Sequence, residues 1–390
     1  MEESRESALA RFDAIRPFEP SELPAVFDRL LADAQFRAVL AYLYPQLPFE
    51  AVAERMRGCK DSLEFQKAFC YDFMANLLAK ASTGCDMDVE SIDVSRRYTF
   101  ISNHRDIVLD SAILDKLLLD VGFTTTCEIA IGDNLLSLPW VKDLVRVNKS
   151  FIVERSLPPR ELLLASRRLS EYMHFAIGEK HENIWIAQRE GRAKDSDDRT
   201  QEAILKMMAM GGEGTERERL QALHLVPLAI SYEYDPCDFL KAAEFQLRRD
   251  NPEWRKTAHD DVVSMQTGIM GYKGAIHYHA APCLDDWLDR LSLPADAPRG
   301  ALFQLTAAHI DREIHRHYRL YPGNYVALDL LQQGDDHSDH YTVLQRKTFV
   351  DYLHAQLARI DIPAKDEAFL LERLLTMYAN PLRNYLKAHE

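Results

Sequence analysis

From Arg96 onward the sequence alternates short apolar runs with longer amphipathic segments, and this alternation most constrains the fold. The apolar runs are typical of buried strands, whereas the segments between them have the three-to-four-residue spacing of helices. The predicted strands span residues 98–102, 123–131, 151–155, 183–188 and 223–232. Strands that alternate with helices predict an α/β fold with a mixed, largely parallel sheet flanked by helices.

Helical patterns lie on both sides of this region. Leu23, Phe27 and Leu30 have helix-like spacing near the start, and amphipathic segments return after Gly300. The chain is therefore divided into a helical N-terminal region, an α/β domain and a helical C-terminal region, at residues 1–95, 96–300 and 301–390. Within the α/β domain the block 235–300 is ambiguous, with a helical opening and a candidate strand inside residues 268–280.

Charge and composition limit the classes of function. With 61 acidic and 47 basic side chains the formal net charge is −14, which argues against nucleic-acid binding and broad adhesion to an anionic bilayer. The six cysteines include no C-x-x-C pair, so a zinc or redox motif has no support. No uncharged apolar run approaches the ~18 residues that span a bilayer, and the polar start differs from a signal peptide. We expect a cytoplasmic protein, with peripheral contact to the inner membrane face left open.

One histidine follows a predicted strand directly. The strand ends at Ser102, so His104 lies in a loop at the carboxyl edge of the sheet, where open α/β sheets place ligand chemistry. Asp106 and Asp110 follow, and a carboxylate there can fix the imidazole tautomer of a general base. A structural loop histidine, with Asp106 as a helix cap, fits this segment alone equally well.

A basic loop follows the strand 183–188. Arg189, Arg192, Lys194 and Arg199 fall within eleven residues, and Gly191 allows the backbone to bend close to a ligand. In an acidic chain such a cluster indicates a receptor for phosphate or carboxylate. Taken in isolation, a solvated loop that pairs with its own acidic residues is the stronger interpretation.

Two further segments complete an ordered set. Residues 147–155 form a strand that ends in a charge pair including Arg155, and residues 224–233 form an apolar strand interrupted by Pro227. Proline suits the start of a strand or an edge lining a pocket, and is unsuited to a central ladder. Each segment alone reads as ordinary structure.

In their order and spacing the four segments resemble the motif blocks of the phospholipid/glycerol acyltransferase superfamily. The resemblance covers about residues 96–235. It implies that His104 is the general base, that Asp110 orients it, and that Arg155 belongs to the second block. It also implies that Glu190, Gly191 and Arg192 bind the acceptor phosphate and that Pro227 shapes the acyl or donor pocket. Arg189 and Lys194 are added from charge and proximity alone.

The chain departs from the family pattern at the first block. Five residues separate His104 from Asp110, whereas the family has four. On a helix one extra residue rotates a side chain by about 100°. Either the loop absorbs the extra residue or Asp106 is the orienting carboxylate. We favour Asp110, because NHRDIVLD keeps the family's apolar-then-acidic ending.

The resemblance implies an O-acyltransferase of phospholipid biosynthesis. The donor would be acyl-carrier protein or acyl-coenzyme A, and the acceptor glycerol 3-phosphate or its 1-acyl derivative. No metal and no cofactor is expected, and nucleic acid is not a partner. Two alternatives stay open: the same fold acting on a non-glycerol acceptor such as an amino-lipid or specialised metabolite, and a non-catalytic helical interaction protein.

Histidines elsewhere suggest a metal site less strongly. His309 and Glu313 share a face of a predicted helix, whereas His315 and His317 point elsewhere. A solvated helix face is the preferred interpretation of this run. His277 and His279 share one face of a candidate strand without a third ligand, which favours a packing role.

Overall fold

The computed structural model describes residues 9–136, 138–155, 157–294 and 296–390. Its centre is a seven-stranded sheet with the strand order β1-β7-β6-β2-β5-β3-β4. The strands are β1 Gly84–Asp88, β2 Thr99–Ser102, β3 Cys127–Gly132, β4 Ser150–Val153, β5 Asn183–Ala187, β6 Leu225–Tyr232 and β7 Ala275–Ala280.

Five neighbouring strands of this sheet run parallel to one another. The pairs β2–β5, β2–β6, β3–β5 and β3–β4 are all parallel, whereas β7 is antiparallel to β6 and parallel to β1. The parallel strands therefore end along one edge of the sheet, at Ser102, Gly132, Val153, Ala187 and Tyr232. We call this the carboxyl edge. The predicted mixed, largely parallel sheet flanked by helices is confirmed.

The individual strands depart from the prediction at two places. β1 lies within residues 1–95, which were expected to be helical, and it pairs with β7 through Cys85 opposite Ile276. Its five residues alternate apolar and acidic side chains too briefly to stand out from a loop. β3 begins at Cys127, because Phe123 enters the core from the loop before the strand.

Helices surround the sheet and extend beyond it at both ends of the chain. Before β3 they are α1 Leu23–Ala32, α2 Ala34–Leu43, α3 Phe49–Arg57, α4 Ser62–Phe65, α5 Asp72–Ala81 and α6 Leu109–Asp120. Between β3 and β7 they are α7 Pro139–Val147, α8 Pro159–Gly178, α9 Glu202–Met208, α10 Glu216–Gln221, α11 Asp238–Asp250 and α12 Ala258–Met270. After β7 they are α13 Asp285–Arg290, α14 Ala301–Arg316, α15 Pro322–Gln332, α16 Val343–Ala358 and α17 Glu367–His389. A π-helical turn, Gln66–Tyr71, joins α4 to α5.

Each face of the sheet buries its own apolar core. On one face Ile101 and Ile186 pack with α8, α9 and α14, and on the other Phe100 and Trp185 pack with α5 and α6. The N-terminal helices and the C-terminal helices enclose two further apolar clusters. Of the helices in the described ranges, none combines the length and the apolar character needed to cross a membrane.

Candidate active site

The chain after β2 is fixed by one asparagine. The Asn103 side chain donates to the Ile230 carbonyl at 2.9 Å and accepts from the Ile230 N–H at 2.8 Å. This pair of bonds continues the β2–β6 ladder by one step, with a side chain in place of a backbone. Because Asn103 is fully buried, it sets the direction in which the next residue, His104, leaves the sheet.

His104 is hydrogen-bonded to Asp110. Its Nδ1 lies 2.8 Å from Asp110 Oδ2, and the Asp110 side chain is fully buried. The same Oδ2 accepts the backbone N–H groups of Arg105 at 2.6 Å and Asp106 at 3.0 Å, while Oδ1 accepts the Tyr232 hydroxyl at 3.2 Å. These donors hold the Asp110 carboxylate in one position. Because a carboxylate can only accept this hydrogen bond, the neutral imidazole of His104 carries its proton on Nδ1.

Asp106 has a different role in the structure. Its Oδ1 accepts the backbone N–H groups of Val108 at 2.9 Å and Leu109 at 2.8 Å, which caps the start of α6. The extra residue between His104 and Asp110 lies in the turn before α6 begins at Leu109, so the loop absorbs it. Of the two carboxylates left open by the sequence, the structure places Asp110 against His104.

The second nitrogen of His104 faces outward. No hydrogen bond joins Nε2 to any residue in the described part of the chain, and the side chain is 13% exposed. Trp185 packs edge-on against the ring at 5.7 Å between centroids, and its own indole N–H is held by the Ser102 hydroxyl. The imidazole is therefore immobilised on one side and open to a ligand on the other.

The basic loop after β5 brings two cations to the carboxyl edge. Gly191 has a φ of +67°, and this left-handed turn leads the chain back toward the sheet. Arg192 is buried, and its NH1 has no hydrogen-bond partner within the described ranges. Lys194 lies 3.6 Å from Glu244. A buried guanidinium nitrogen without an acceptor is what an anion site requires before its ligand arrives.

The electrostatic surroundings of Lys194 point the same way. Burial, together with the positive charges of Arg192, Lys241 and Lys256, lowers the pKa of Lys194 to about 8. Lys241 and Lys256 come from the segment 235–300, whose role the sequence left ambiguous. A bound anion would favour the charged form of Lys194 and so oppose this effect of its positive neighbours.

Arg155, Arg189 and Glu190 lie at the rim of the site. Arg155 NH1 is 3.5 Å from Glu190 Oε1, and both side chains are exposed. Arg189 is half-buried and has no hydrogen-bond or ion-pair partner among the residues that the structure describes. The structure thus brings together the strand ends on which the predicted residues lie, with Arg192 and Lys194 buried deeper than the other three.

Pro227 lies close to the end of β2. It is buried inside β6 opposite Ile101, one step before the row that ends β2 at Ser102. β6 is a central strand, contrary to the position expected for a proline. The hydrogen-bonded ladder between β6 and β7 starts at Leu228. Pro227 lies just outside this ladder, so the N–H group that proline lacks costs little there.

A buried ion pair beside the site was missed by the sequence analysis. Arg105 NH1 lies 2.7 Å from Asp198 Oδ2, and both side chains are almost completely buried. Asp198 was considered only as a counter-ion within the basic loop. Ninety-two residues separate the pair along the chain, and no local spacing rule links such positions.

An apolar cavity of about 290 Å³ lies along the outer side of α6. One wall is a helical stripe of this segment, formed by Val108, Ala112, Asp115, Lys116 and Leu119. The opposite wall comes from the N-terminal helices and from four residues of the π-helical turn, Gln66, Phe69, Cys70 and Tyr71. Turns of this kind occur frequently at functional sites. Of the lining residues, Val108 is the nearest to His104 along the chain, four residues after it.

One part of the cavity lining is polar. Gln66 donates to Asp115 at 3.2 Å and accepts from Thr126 at 2.6 Å, so these groups satisfy one another. Burial raises the pKa of Asp115 to about 7. Apolar side chains thus make up most of the lining, and these three hydrogen-bonded residues form a polar patch within it.

The histidines considered for metal binding are engaged in packing. His309 stacks on Trp287 at 4.1 Å, and His279 stacks on His317 at 4.0 Å. Within the described ranges one group of potential ligands, His224, Cys283 and Asp285, has its donor atoms within 4.8 Å of one another. It lies at the opposite edge of the sheet, and the Arg96 guanidinium is 3.6 Å from Asp285.

Comparison with known proteins adds one distant similarity. The chain matches no protein-family model and no curated protein. Among solved structures it is similar to the 1-acyl-sn-glycerophosphate (LPA) acyltransferase PlsC from Thermotoga maritima, at 11% sequence identity and a TM-score of 0.35. The alignment covers 75% of this chain and 97% of that chain. At this distance neither the activity nor the fold of this chain follows from the similarity.

Proposed function

We propose that the protein is an acyltransferase that moves a fatty acyl group from a thioester to a hydroxyl of a phosphate-bearing acceptor. The donor is acyl-carrier protein or acyl-coenzyme A, and the acceptor is glycerol 3-phosphate or its 1-acyl derivative. The observation that carries the proposal is the contact between His104 and buried Asp110, with Nε2 open at the carboxyl edge. Neither a metal nor a cofactor takes part in the reaction.

The reaction consists of one acyl transfer and two proton transfers, the first to His104 and the second from it. His104 Nε2 takes the proton from the acceptor hydroxyl as its oxygen attacks the thioester carbonyl carbon. Asp110 stabilises the imidazolium that forms, through the bond to Nδ1. The tetrahedral intermediate collapses, the carbon–sulfur bond breaks, and the leaving thiolate takes the proton from His104. No covalent acyl-enzyme is formed.

The cavity along α6 supports a fatty acyl donor. Its lining includes Val108, four residues after His104 in the chain, and consists mainly of apolar side chains. From Val108 to Leu119 the segment rises about 16 Å at 1.5 Å per residue. That length accommodates a medium hydrocarbon chain, while its carbonyl end stays near Nε2.

The cations of the β5 loop support an anionic acceptor. Arg192 has an unpartnered buried nitrogen, and Lys194 has a depressed pKa among three other positive charges. A phosphate accepts hydrogen bonds from both side chains and removes their mutual repulsion. A carboxylate on the acceptor could bind Arg192 and Lys194 in the same way, although it carries less charge than a phosphate. For this reason an acceptor other than a glycerol phosphate is the second candidate.

The test is incubation of the purified protein with acyl-carrier protein or acyl-coenzyme A thioesters and a panel of acceptors, with products identified by mass. The panel contains glycerol 3-phosphate, its 1-acyl derivative, an amino-lipid and a hydroxy acid. We expect an acylated product from a phosphate-bearing acceptor. If only the amino-lipid or the hydroxy acid is acylated, the acceptor assignment is wrong. If no acceptor is acylated, the remaining interpretation is the non-catalytic interaction protein.

We expect the Asp110→Asn variant to lower kcat by about 100-fold or more, because an amide no longer fixes the Nδ1 proton or stabilises the imidazolium. The matched control is Asp106→Asn, since asparagine also caps helices well and Asp106 does not touch His104. Steady-state kinetics of both variants give the comparison. Near-normal turnover of Asp110→Asn, or an equal loss in both variants, would reject the assignment of Asp110.

Acceptor binding should depend on pH through Lys194. Since its pKa is lowered to about 8, the ammonium is charged below that pH and neutral above it. The KM for the acceptor should therefore rise as the pH passes through 8, with a smaller change in kcat. In a Lys194→Met variant the KM should be high throughout and this step should disappear. A wild-type KM that stays constant from pH 7 to pH 9 would contradict the prediction.

A further inference from the structure

Three consecutive leucines lie exposed at the start of α8. Leu162, Leu163 and Leu164 are 38%, 62% and 68% exposed. They follow β4, the outermost strand, so they stand at the carboxyl edge where His104 lies. Leu138, in the loop after the neighbouring strand β3, is 41% exposed at the same edge. Single exposed leucines are common on protein surfaces, whereas a group of them typically marks a surface that contacts a partner or a membrane.

The leucines do not belong to the packed face of their own helix. α8 buries Ala165, Leu169, Tyr172 and Met173 against the sheet. Leu162 continues that stripe by one step and is nevertheless partly exposed, so the first turns of α8 extend past the layer on which the helix packs. Nothing in the described ranges covers them.

The arrangement of the three leucines distinguishes between kinds of partner. Consecutive helical residues are about 100° apart, so three of them face around 200° of the helix circumference. A protein surface contacts one stripe of a helix, with anchors three or four residues apart. A fluid hydrocarbon phase surrounds every side at once, and it can bury all three leucines together.

The charges near the leucines fit a negatively charged surface. Residues 155–168 contain four arginines and one glutamate. Arg155 pairs with Glu190, Arg167 with Glu171 and Arg168 with Glu154, so Arg160 is the arginine of this segment without an acidic partner among the described residues. Arg155, Arg160 and Arg167 are exposed around the leucines. Basic side chains next to a membrane surface with anionic headgroups each strengthen binding.

We propose that the protein docks on an anionic phospholipid bilayer through Leu138 and the start of α8, with its carboxyl edge facing the lipid. In that orientation the leucines enter the headgroup region and the arginines contact phosphates. The contact itself does not require acyl transfer. Only the purpose of the membrane contact rests on the proposed function: the contact would bring a membrane-held acceptor or product to His104.

The experiment measures co-sedimentation of the full chain with vesicles of phosphatidylcholine, with and without phosphatidylglycerol. We expect wild-type protein to bind the anionic vesicles, and the triple variant Leu162→Gln, Leu163→Gln, Leu164→Gln to bind at least tenfold more weakly. The double variant Arg160→Gln, Arg167→Gln should lose the preference for phosphatidylglycerol. The matched control is Val343→Gln, Leu344→Gln, a pair 87% and 72% exposed at the start of α16.

Three outcomes would overturn the proposal: no vesicle binding by the wild type, equal binding by the triple variant, or an equal loss in the α16 control. Capture of a soluble acyl-carrier protein through the leucines, without vesicle binding, would assign the surface to a protein partner. The triple variant should keep acyl transfer to water-soluble glycerol 3-phosphate within about twofold. Since vesicle binding is measured without substrates, failure of the docking surface and failure of the proposed reaction are separate results.

Discussion

Replacement of His104 by alanine should lower kcat at least about a thousandfold while leaving the fold intact. General base catalysis contributes on the order of 10²–10⁴ to a rate, and no described side chain other than His104 offers an open nitrogen beside Asp110. The variant also leaves the buried Asp110 without its partner on Nδ1. Three other donors still hold that carboxylate, so we expect only a small loss of stability.

The measurement combines steady-state turnover with thermal unfolding of the same preparation. The matched control is His354→Ala, which removes an exposed histidine from α16. Wild-type turnover in the His104 variant would reject the general base and with it the proposed reaction. Unfolding of the variant would identify His104 as a structural residue, which is the alternative that the sequence segment left open.

The largest expected effect on stability comes from the ion pair beneath the site. Arg105→Met removes the guanidinium 2.7 Å from Asp198 Oδ2, and no other described residue donates a hydrogen bond to either oxygen of this buried carboxylate. Loss of one partner of a buried pair costs about 3–5 kcal/mol. With an unfolding entropy of about 2.1 cal/mol/K per residue, the Tm of a 390-residue chain shifts by roughly 1.2 °C per kcal/mol, so it should fall by about 4–6 °C.

The second variant of this test removes both charges together. Arg105→Met, Asp198→Leu should recover most of the lost Tm, because two apolar side chains in a buried site need no counter-charge. The control pair is Arg57 and Asp28, which are 2.9 Å apart on the surface, and Arg57→Met should change the free energy of unfolding by about 0–1 kcal/mol. Equal losses from Arg105→Met and Arg57→Met would show that burial adds nothing to the first pair.

The α/β fold could be predicted because strand and helix periods alternate clearly after Arg96. β1 escaped prediction because its neighbour β7 lies about 190 residues later, and only that pairing makes its short pattern a strand. Pro227 was expected at the start of a strand or at an edge, yet it lies inside the central strand β6, one residue before its ladder with β7. Strand order and ladder ends are properties of the assembled sheet, and local sequence patterns do not encode them.

The site divides in the same way between local and distant contacts. His104, Asp110 and the β5 loop are each recognisable within a few residues, and the structure brings these segments to one edge. Asn103 was read as part of a motif, whereas its bonds to Ile230 give it a positioning role. Lys241, on α11, and Lys256, in the loop before α12, act on Lys194 from the block that the sequence left ambiguous. Such groups become visible only when the chain has folded.

The π-helical turn before α5 has a consequence for how this protein can vary. The turn inserts a wider step into an otherwise α-helical rod, and four of its six residues line the cavity beside α6. Removal of one residue from the turn would let it close into an ordinary α-helical turn, and its residues would no longer present the same four side chains to the cavity. Chain length in this turn, more than side-chain identity, therefore governs the shape of the cavity, and single-residue deletions there should be tolerated less well than conservative substitutions.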